Sequence, residues 1–312
     1  MAQFESLAAA NKRNSVLLVI LFVLFICALG FLLGSAIWGD WRAGVPSIAL
    51  ALAVSLVMAL VGYYSGPGAV LALSGAREIA KPEDPQLYNI VEELTLAAGL
   101  PMPRVYLIDT PAMNAFATGR DPRHAHVAVT RGLRERLDRD ELQGVVAHEL
   151  SHVKNFDIRF MTLMAVLVGT VVLLADVGLR TLFWGGGRRR RSGGQGGGAI
   201  MLVILVGAIV LAIIAPIFAT LIQLAASRQR EFLADAWGAR LTRYPEGLAR
   251  ALLKLGADSE PMPHATRATA HMFIVQPMMA SGRRREGGNI WSSHPTIEER
   301  VARLRSLGQV GA

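Results

Sequence analysis

The chain has 312 residues, of which 52% are hydrophobic and 18% charged, with a net charge of +8. Mean hydropathy is +0.38, above the soluble range, so the composition argues against an ordinary soluble enzyme and for a membrane protein. Basic residues gather beside apolar runs at Lys12–Arg13, Arg188 to Arg191 and Arg283 to Arg285 without aromatic interleaving, which suits a lipid bilayer as partner and no nucleic acid, and the single cysteine, Cys27, rules out a disulfide or a multi-cysteine metal site.

Residues 15–38 form a first apolar run behind Lys12 and Arg13. It is longer than the apolar core of a signal peptide and no small-residue cleavage site follows, so a retained anchor is expected rather than a cleaved leader. A short polar link, 39–43, leads to a second run over 44–64 that ends in the interfacial pair Tyr63–Tyr64, and the two runs predict a transmembrane hairpin. Residues 65–159 read as a soluble block. Pro82, Glu83 and Asp84 precede an amphipathic helix over 87–100, RVYLID (104–109) reads as a strand, and 114–133 as two short strands around a Gly–Arg–Asp–Pro turn. Asp138 or Asp140 is available to cap the helix that follows. Apolar segments return at 160–184 and 199–226, joined by a Gly/Arg tip at 185–198, and a second soluble block, 227–312, carries helices near 227–241, 246–255 and 296–307.

The segment VVAHELSHVKNFD, 145–157, concentrates the chemistry. His148 and His152 are four apart on a helix, so their imidazoles share one face and can supply two ligands of a tetrahedral Zn²⁺. Glu149 lies beside that face, where it can reach an attacking water without ligating the metal. Two satisfied histidines on a polar helix face are the plain alternative. A catalytic zinc takes three protein ligands, and without further cysteines the third must be histidine or a carboxylate. Glu231 and Asp235, four apart in SRQREFLADAWGARL, suit a third ligand and an acceptor for a ligating histidine's other ring N–H. On spacing alone, a solvated acidic pair balancing Arg228, Arg230 and Arg240 stands equal to that reading. His294, in SSHPT, is a candidate oxyanion donor, or else a residue that caps or packs the last helix. His124, His126, His264 and His271 have no ligand-like spacing and are read as surface or core histidines.

HELSH followed by EFLAD at Glu231–Asp235 resembles the gluzincin metallopeptidases. The order of hairpin, NAFATG, HELSH helix, two further apolar segments, SRQREFLAD and SSHPTIEERVARL is similar to the HtpX family of bacterial membrane zinc peptidases over nearly the whole chain. The tip at 185–198 and the segment 261–290 match no motif of that family. The resemblance implies one Zn²⁺ per subunit, held by His148, His152 and Glu231, with Glu149 as the base. It implies a mainly helical α+β membrane protein with four transmembrane helices and a gluzincin-like zinc peptidase domain containing a small β-sheet. It also implies an edge strand at Asn114, Ala115 and Phe116 that pairs with an extended substrate backbone, a plain core strand being the alternative.

The activity expected is an endopeptidase that cuts misfolded or surplus membrane proteins in proteolytic quality control and stress response. A non-hydrolytic membrane chaperone or adaptor, a protease for prenylated peptide C-termini and a transporter built around Asp176 are weaker alternatives. The zinc residues must share one side of the membrane, so 160–184 and 199–226 both cross or neither does. Four crossings with a cytoplasmic active site in the bacterial inner membrane are expected, although they put Arg188 to Arg191 outside, against the positive-inside tendency.

Overall fold

The computed structural model describes residues 2–38, 41–167, 169–171, 228–262, 265, 269–277 and 295–310. Two long helices open the chain, α1 (Ala2–Trp38) and α2 (Trp41–Leu73). They are apolar and long enough to cross a membrane over Ser6–Leu32 and Gly44–Leu73. Their close approach needs small residues, and Gly34 has Ser47 Oγ where a Cβ would stand. Val16, Leu17 and Leu24 on α1, with Leu50, Val57 and Leu60 on α2, stay exposed, as lipid-facing side chains would. Trp41 to Ala43, expected in a link, are the first turn of α2. The helix also runs past residue 64, because Val70 and Leu71 in its last turns pack against Tyr106, Ile108, Phe116 and Ala128 of the sheet. The hairpin is therefore seated directly on the sheet.

That sheet has four strands, β1 (Ala76–Glu78), β2 (Arg104–Ile108), β3 (Ala115–Gly119) and β4 (Ala125–Thr130), in the order β1-β2-β4-β3. β1 and β2 are antiparallel, β2 and β4 parallel, and β3 and β4 antiparallel with Ala117 opposite Val127. β3 is thus an edge strand. The turn before β4 forms because Asp121 accepts from the N–H groups of Arg123 and His124. Between β1 and β2 lies α3 (Pro85–Ala98), started by Asp84, which accepts from Leu87 N–H, and stopped by Gly99 in the left-handed region. β1 and the one-and-a-half-turn α4 (Arg131–Arg136) were not expected from periodicity, being three and six residues long.

The central helix is α5 (Arg139–Lys154), and the cap is Asp138 rather than Asp140: Asp138 accepts from Glu141 N–H while Glu141 accepts from Asp138 N–H. α5 is buried almost continuously from Glu141 to Val153, packed on one side by β3 and β4 and on others by α7 (Arg228–Thr242) and α8 (Pro245–Ala257). Ahead of α7 comes a helical stretch, α6 (157–167), whose Phe160, Leu163, Met164 and Leu167 pack on Leu18, Phe22, Phe25 and Ile26 of α1. Between α5 and α6, Phe156 adopts φ +59°, a left-handed conformation that costs an L-residue roughly 1–2 kcal/mol. The final helix is α9 (Ile297–Val310). Residues 172–227, which hold the Gly/Arg tip and most of the two later apolar segments, lie outside the described residues, as do His264 and His294.

Candidate metal centre

α5 brings His148 and His152 onto one face, and α7 lays Glu231 opposite them. The approach of the two helices depends on Gly238, where an added Cβ would stand 3.2 Å from His148 N and 3.4 Å from Ala147 C. His148 Nε2 lies 3.2 Å from His152 Nε2, and Glu231 carboxylate oxygens lie 3.7 Å and 3.6 Å from those two nitrogens. A tetrahedral ion with bonds of about 2.0–2.1 Å sets its donors about 3.3 Å apart, so the triangle has the size that Zn²⁺ requires. All three side chains are buried.

The outer nitrogens fix the tautomers. Asp235 Oδ1 is 2.9 Å from His148 Nδ1, and Asp157 Oδ2 is 2.9 Å from His152 Nδ1. Both Nδ1 atoms are thereby donors, so Nε2 is the atom each ring can offer a metal beside the Glu231 carboxylate. Two imidazole nitrogens and a carboxylate oxygen converging in a buried space are the donor types and the number that a catalytic zinc takes, so the donor set fits zinc. A second observation agrees: Glu149 Oε1 is buried and has no hydrogen-bond partner among the described residues, while the Ala117 backbone N–H holds the carboxylate from the β3 edge. Its open oxygen is where an attacking water would be bound.

Electrostatics in the cluster follow from burial and from one arginine. Burial pushes the Glu149 carboxyl up to about 7. Burial disfavours charge on His152, but Asp157, Glu231 and Glu149 outweigh it and raise the imidazole to about 9. His148, whose burial dominates, is lowered. Asp235 is held below the usual carboxylate range because Arg300, together with His148, overcomes its burial. Arg300 on α9 is 1% exposed; it forks onto Asp235 at 2.8 Å and 2.6 Å and donates to Ile274 O at 2.9 Å. Since His148 Nδ1 already donates to Asp235, the 3.4 Å approach of Arg300 Nη2 to that nitrogen is a contact rather than a bond.

The structure brings His148, Glu149, His152, Glu231 and Asp235 together in one buried cluster. Asn114 precedes β3, and Ala115 and Phe116 open it, on the strand whose Ala117 N–H reaches Glu149. Asn114 Nδ2 donates to Val275 O at 2.9 Å, Ala115 O accepts from Ile274 N–H at 3.0 Å, and Phe116 packs edge-on to Phe273. His124 is exposed on Asp121, His126 is packed edge-on to Tyr106 and lowered to about 4 by burial, and His271 sits under Met161 O. Sequence reasoning overlooked Asp157; a carboxylate five residues past the second histidine was the available signal. Arg300 offered none, being one of several charges in a charged helix.

Comparison with known proteins places this geometry in a lineage. The model of Peptidase family M48 matches residues 81–308. "Protease HtpX homolog" of Tropheryma whipplei (strain TW08/27) is 43% identical over 305 residues, covering 97% of this chain and 98% of that protein. The protein of the same name from Caldanaerobacter subterraneus subsp. tengcongensis is 44% identical over 307 residues, covering 96% and 97%. Among solved structures, Ste24p of S. mikatae is 18% identical, with a TM-score of 0.47, and the match covers 96% of this chain and 66% of that one. The chain belongs to peptidase family M48, within its HtpX group of membrane zinc metalloproteases.

Proposed function

We propose that the protein is an endopeptidase for misfolded or surplus membrane proteins, with His148, His152 and Glu231 as zinc ligands and Glu149 as the catalytic base. The observation that carries this is the convergence of three buried donor atoms beside a carboxylate with one oxygen unpartnered among the described residues. Zinc, when bound, supplies Lewis acidity that polarises a scissile carbonyl and acidifies the attacking water. Glu149 takes the water's proton and passes it to the leaving amine; a carboxyl pushed toward neutrality by burial is matched to both transfers. Asp235 and Asp157 hold the two imidazoles with Nε2 inward.

The outward edge of β3 supports a main-chain mode of substrate binding with little sequence preference. At Ala115 that edge is taken by Ile274 N–H of the same chain, so a substrate strand would pair there by displacing it, two residues from Ala117 and its contact with Glu149. Tyr63, Tyr64, Lys12 and Arg159 cluster where α1, α2 and α6 leave the peptidase half: Arg159 lies over Tyr63 at 5.7 Å, and Lys12 over Phe156 at 4.0 Å. An aromatic and cationic belt of this kind is the pattern of a head-group boundary. It supports placing the metal centre at a membrane surface, and Lys12 and Arg13 before the first apolar run favour the cytoplasmic one. Four crossings remain the topology proposed; the meeting of α5 and α7 requires only that segments 160–184 and 199–226 both cross or that neither does.

Zinc content and cleavage of casein or a membrane protein test the assignment together. Glu231→Gln, close in shape, is expected to lose zinc and activity while the far-ultraviolet circular dichroism stays that of the folded protein; full zinc occupancy in that variant would remove Glu231 from the ligand set. Binding is also expected to release about one proton per zinc at neutral pH, because His152 is held protonated up to about 9 in the metal-free cluster and must give up its Nε2 proton to ligate. Affinity therefore rises with pH until about 9. Calorimetric titrations in buffers of different ionisation enthalpy measure the proton directly, and a pH-independent affinity would contradict the ligand role.

A further inference from the structure

The first membrane helix contributes a side chain to the surroundings of the metal centre. Asn11, on α1, is 2% exposed although it adjoins an apolar run. Its Nδ2 donates to Asn155 O at 2.9 Å and to Asp157 Oδ1, and its Oδ1 accepts from Arg230 Nη1 at 3.2 Å. Only one orientation of the amide satisfies two acceptors on one side and a guanidinium on the other. Asn155 closes α5, Asp157 opens α6, and Arg230 is the residue before Glu231 on α7. One amide therefore clips together the end of the helix bearing His148 and His152 and the start of the helix bearing Glu231.

The connection to chemistry runs through Asp157. Its Oδ2 accepts from His152 Nδ1, so the carboxylate orients the imidazole that must present Nε2 inward. Its Oδ1 is held by Asn11, with Arg230 Nη1 3.6 Å away. Without Asn11 the carboxylate loses the donor that sets its rotation. The turn that carries it would also be released, since Phe156 is held left-handed between Lys12 at 4.0 Å and Arg159 at 5.0 Å from its ring, and Asn155 O is fixed by the same amide. A polar residue in an apolar helix is retained at a cost unless it is satisfied, and here all three of its bonds go to the peptidase half.

We propose that Asn11 is a positioning residue for His152, acting through Asp157, so that docking of the first membrane helix completes the metal centre. The inference rests on the zinc assignment above. It implies that the peptidase half without α1 binds zinc weakly even where it stays folded.

The test uses the full-length protein in lipid nanodiscs: wild type, Asn11→Leu, Asp157→Asn and the double variant. Zinc affinity is measured by competition with a chromogenic chelator, and kcat and KM with a fluorogenic peptide. Loss of an outer partner of a metal-ligating histidine weakens binding about 10–100-fold, which is expected for Asp157→Asn. Asn11→Leu is expected to weaken zinc about tenfold and lower kcat with KM unchanged, and the double variant to be no weaker than Asp157→Asn, because both act on one carboxylate. Wild-type zinc affinity in Asn11→Leu, or losses that add in full, overturns the proposal. Should Asn11→Leu not fold, Asn11→Asp keeps the size, replaces the donor by an acceptor and faces the same criteria. Absence of zinc from the wild-type protein overturns the metal centre itself, whereas wild-type affinity in the Asn11 variants overturns the positioning role alone.

Discussion

Glu149→Gln is expected to abolish measurable proteolysis while the protein keeps its zinc. Glutamine preserves the shape and can still accept from Ala117 N–H, but its amide cannot take a proton from water. General-base assistance contributes about 10²–10⁴-fold, so cleavage should fall by that factor with metal content unchanged. Equal cleavage in the two proteins would end the mechanism, and loss of zinc in the variant would make Glu149 a ligand instead of a base. The same substitution has a second, opposite consequence. In the folded metal-free protein the Glu149 proton is held up to pH about 7, against 4.5 for the free side chain. Ionising it therefore opposes folding progressively between those pH values, and the penalty is complete above them. At about 1.4 kcal/mol per pKa unit, Glu149→Gln should stabilise the metal-free protein by about 3 kcal/mol at pH 8 and by little at pH 4.5. Thermal unfolding with chelator at the two pH values measures this; an equal shift at both would assign the gain to packing rather than charge. Activity and stability conflict at this carboxyl because the burial that tunes it also penalises it.

Arg300→Met should be the most damaging single change to stability. The guanidinium is buried beside Asp235 and within 3.6 Å of Glu231, and it also ties Ile274 O to α9. Methionine fills much of the volume but leaves Asp235 ionised and facing only His148. Removing one partner of a buried pair costs about 3–5 kcal/mol, since the remaining charge is neither paired nor hydrated. Arg300→Lys should recover little, because a point charge cannot make the forked contact at 2.8 Å and 2.6 Å. Arg300→Met combined with Asp235→Asn should be milder than Arg300→Met alone, as it removes the stranded charge. Denaturant unfolding in detergent with chelator present separates these cases, and a loss below about 1 kcal/mol in Arg300→Met would show that water reaches the pair.

Much of the architecture could be read from local pattern. Length and apolarity marked the N-terminal hairpin and the apolar period marked α3, but its stop at Gly99 and the choice of Asp138 over Asp140 as the cap of α5 came from the structure. β1 and α4 escaped notice because three and six residues hold no period to detect; they exist because β2 and β4 offer them partners. The extension of α2 to Leu73 was likewise a tertiary matter, set by Val70 and Leu71 finding the sheet.

For the metal centre, the sequence by itself determined the candidates: four-residue spacing puts His148 beside His152 and Glu231 beside Asp235 whatever the rest of the chain does, because a helix repeats every 3.6 residues. Spacing could not decide whether the acidic pair met the histidines, since seventy-eight intervening residues (153–230) carry no local rule for bringing α7 back to α5. Tertiary structure decided that, through the bare backbone at Gly238 and the buried fork of Arg300. It also decided which charges were partners: Asp157, Arg300 and Asn11 look like ordinary polar residues in their own segments and acquire a role only where three elements bury them together. Residue types and helical periodicity are local properties of the chain. Burial, donor distances and shifted proton affinities arise only when distant segments exclude water from one another.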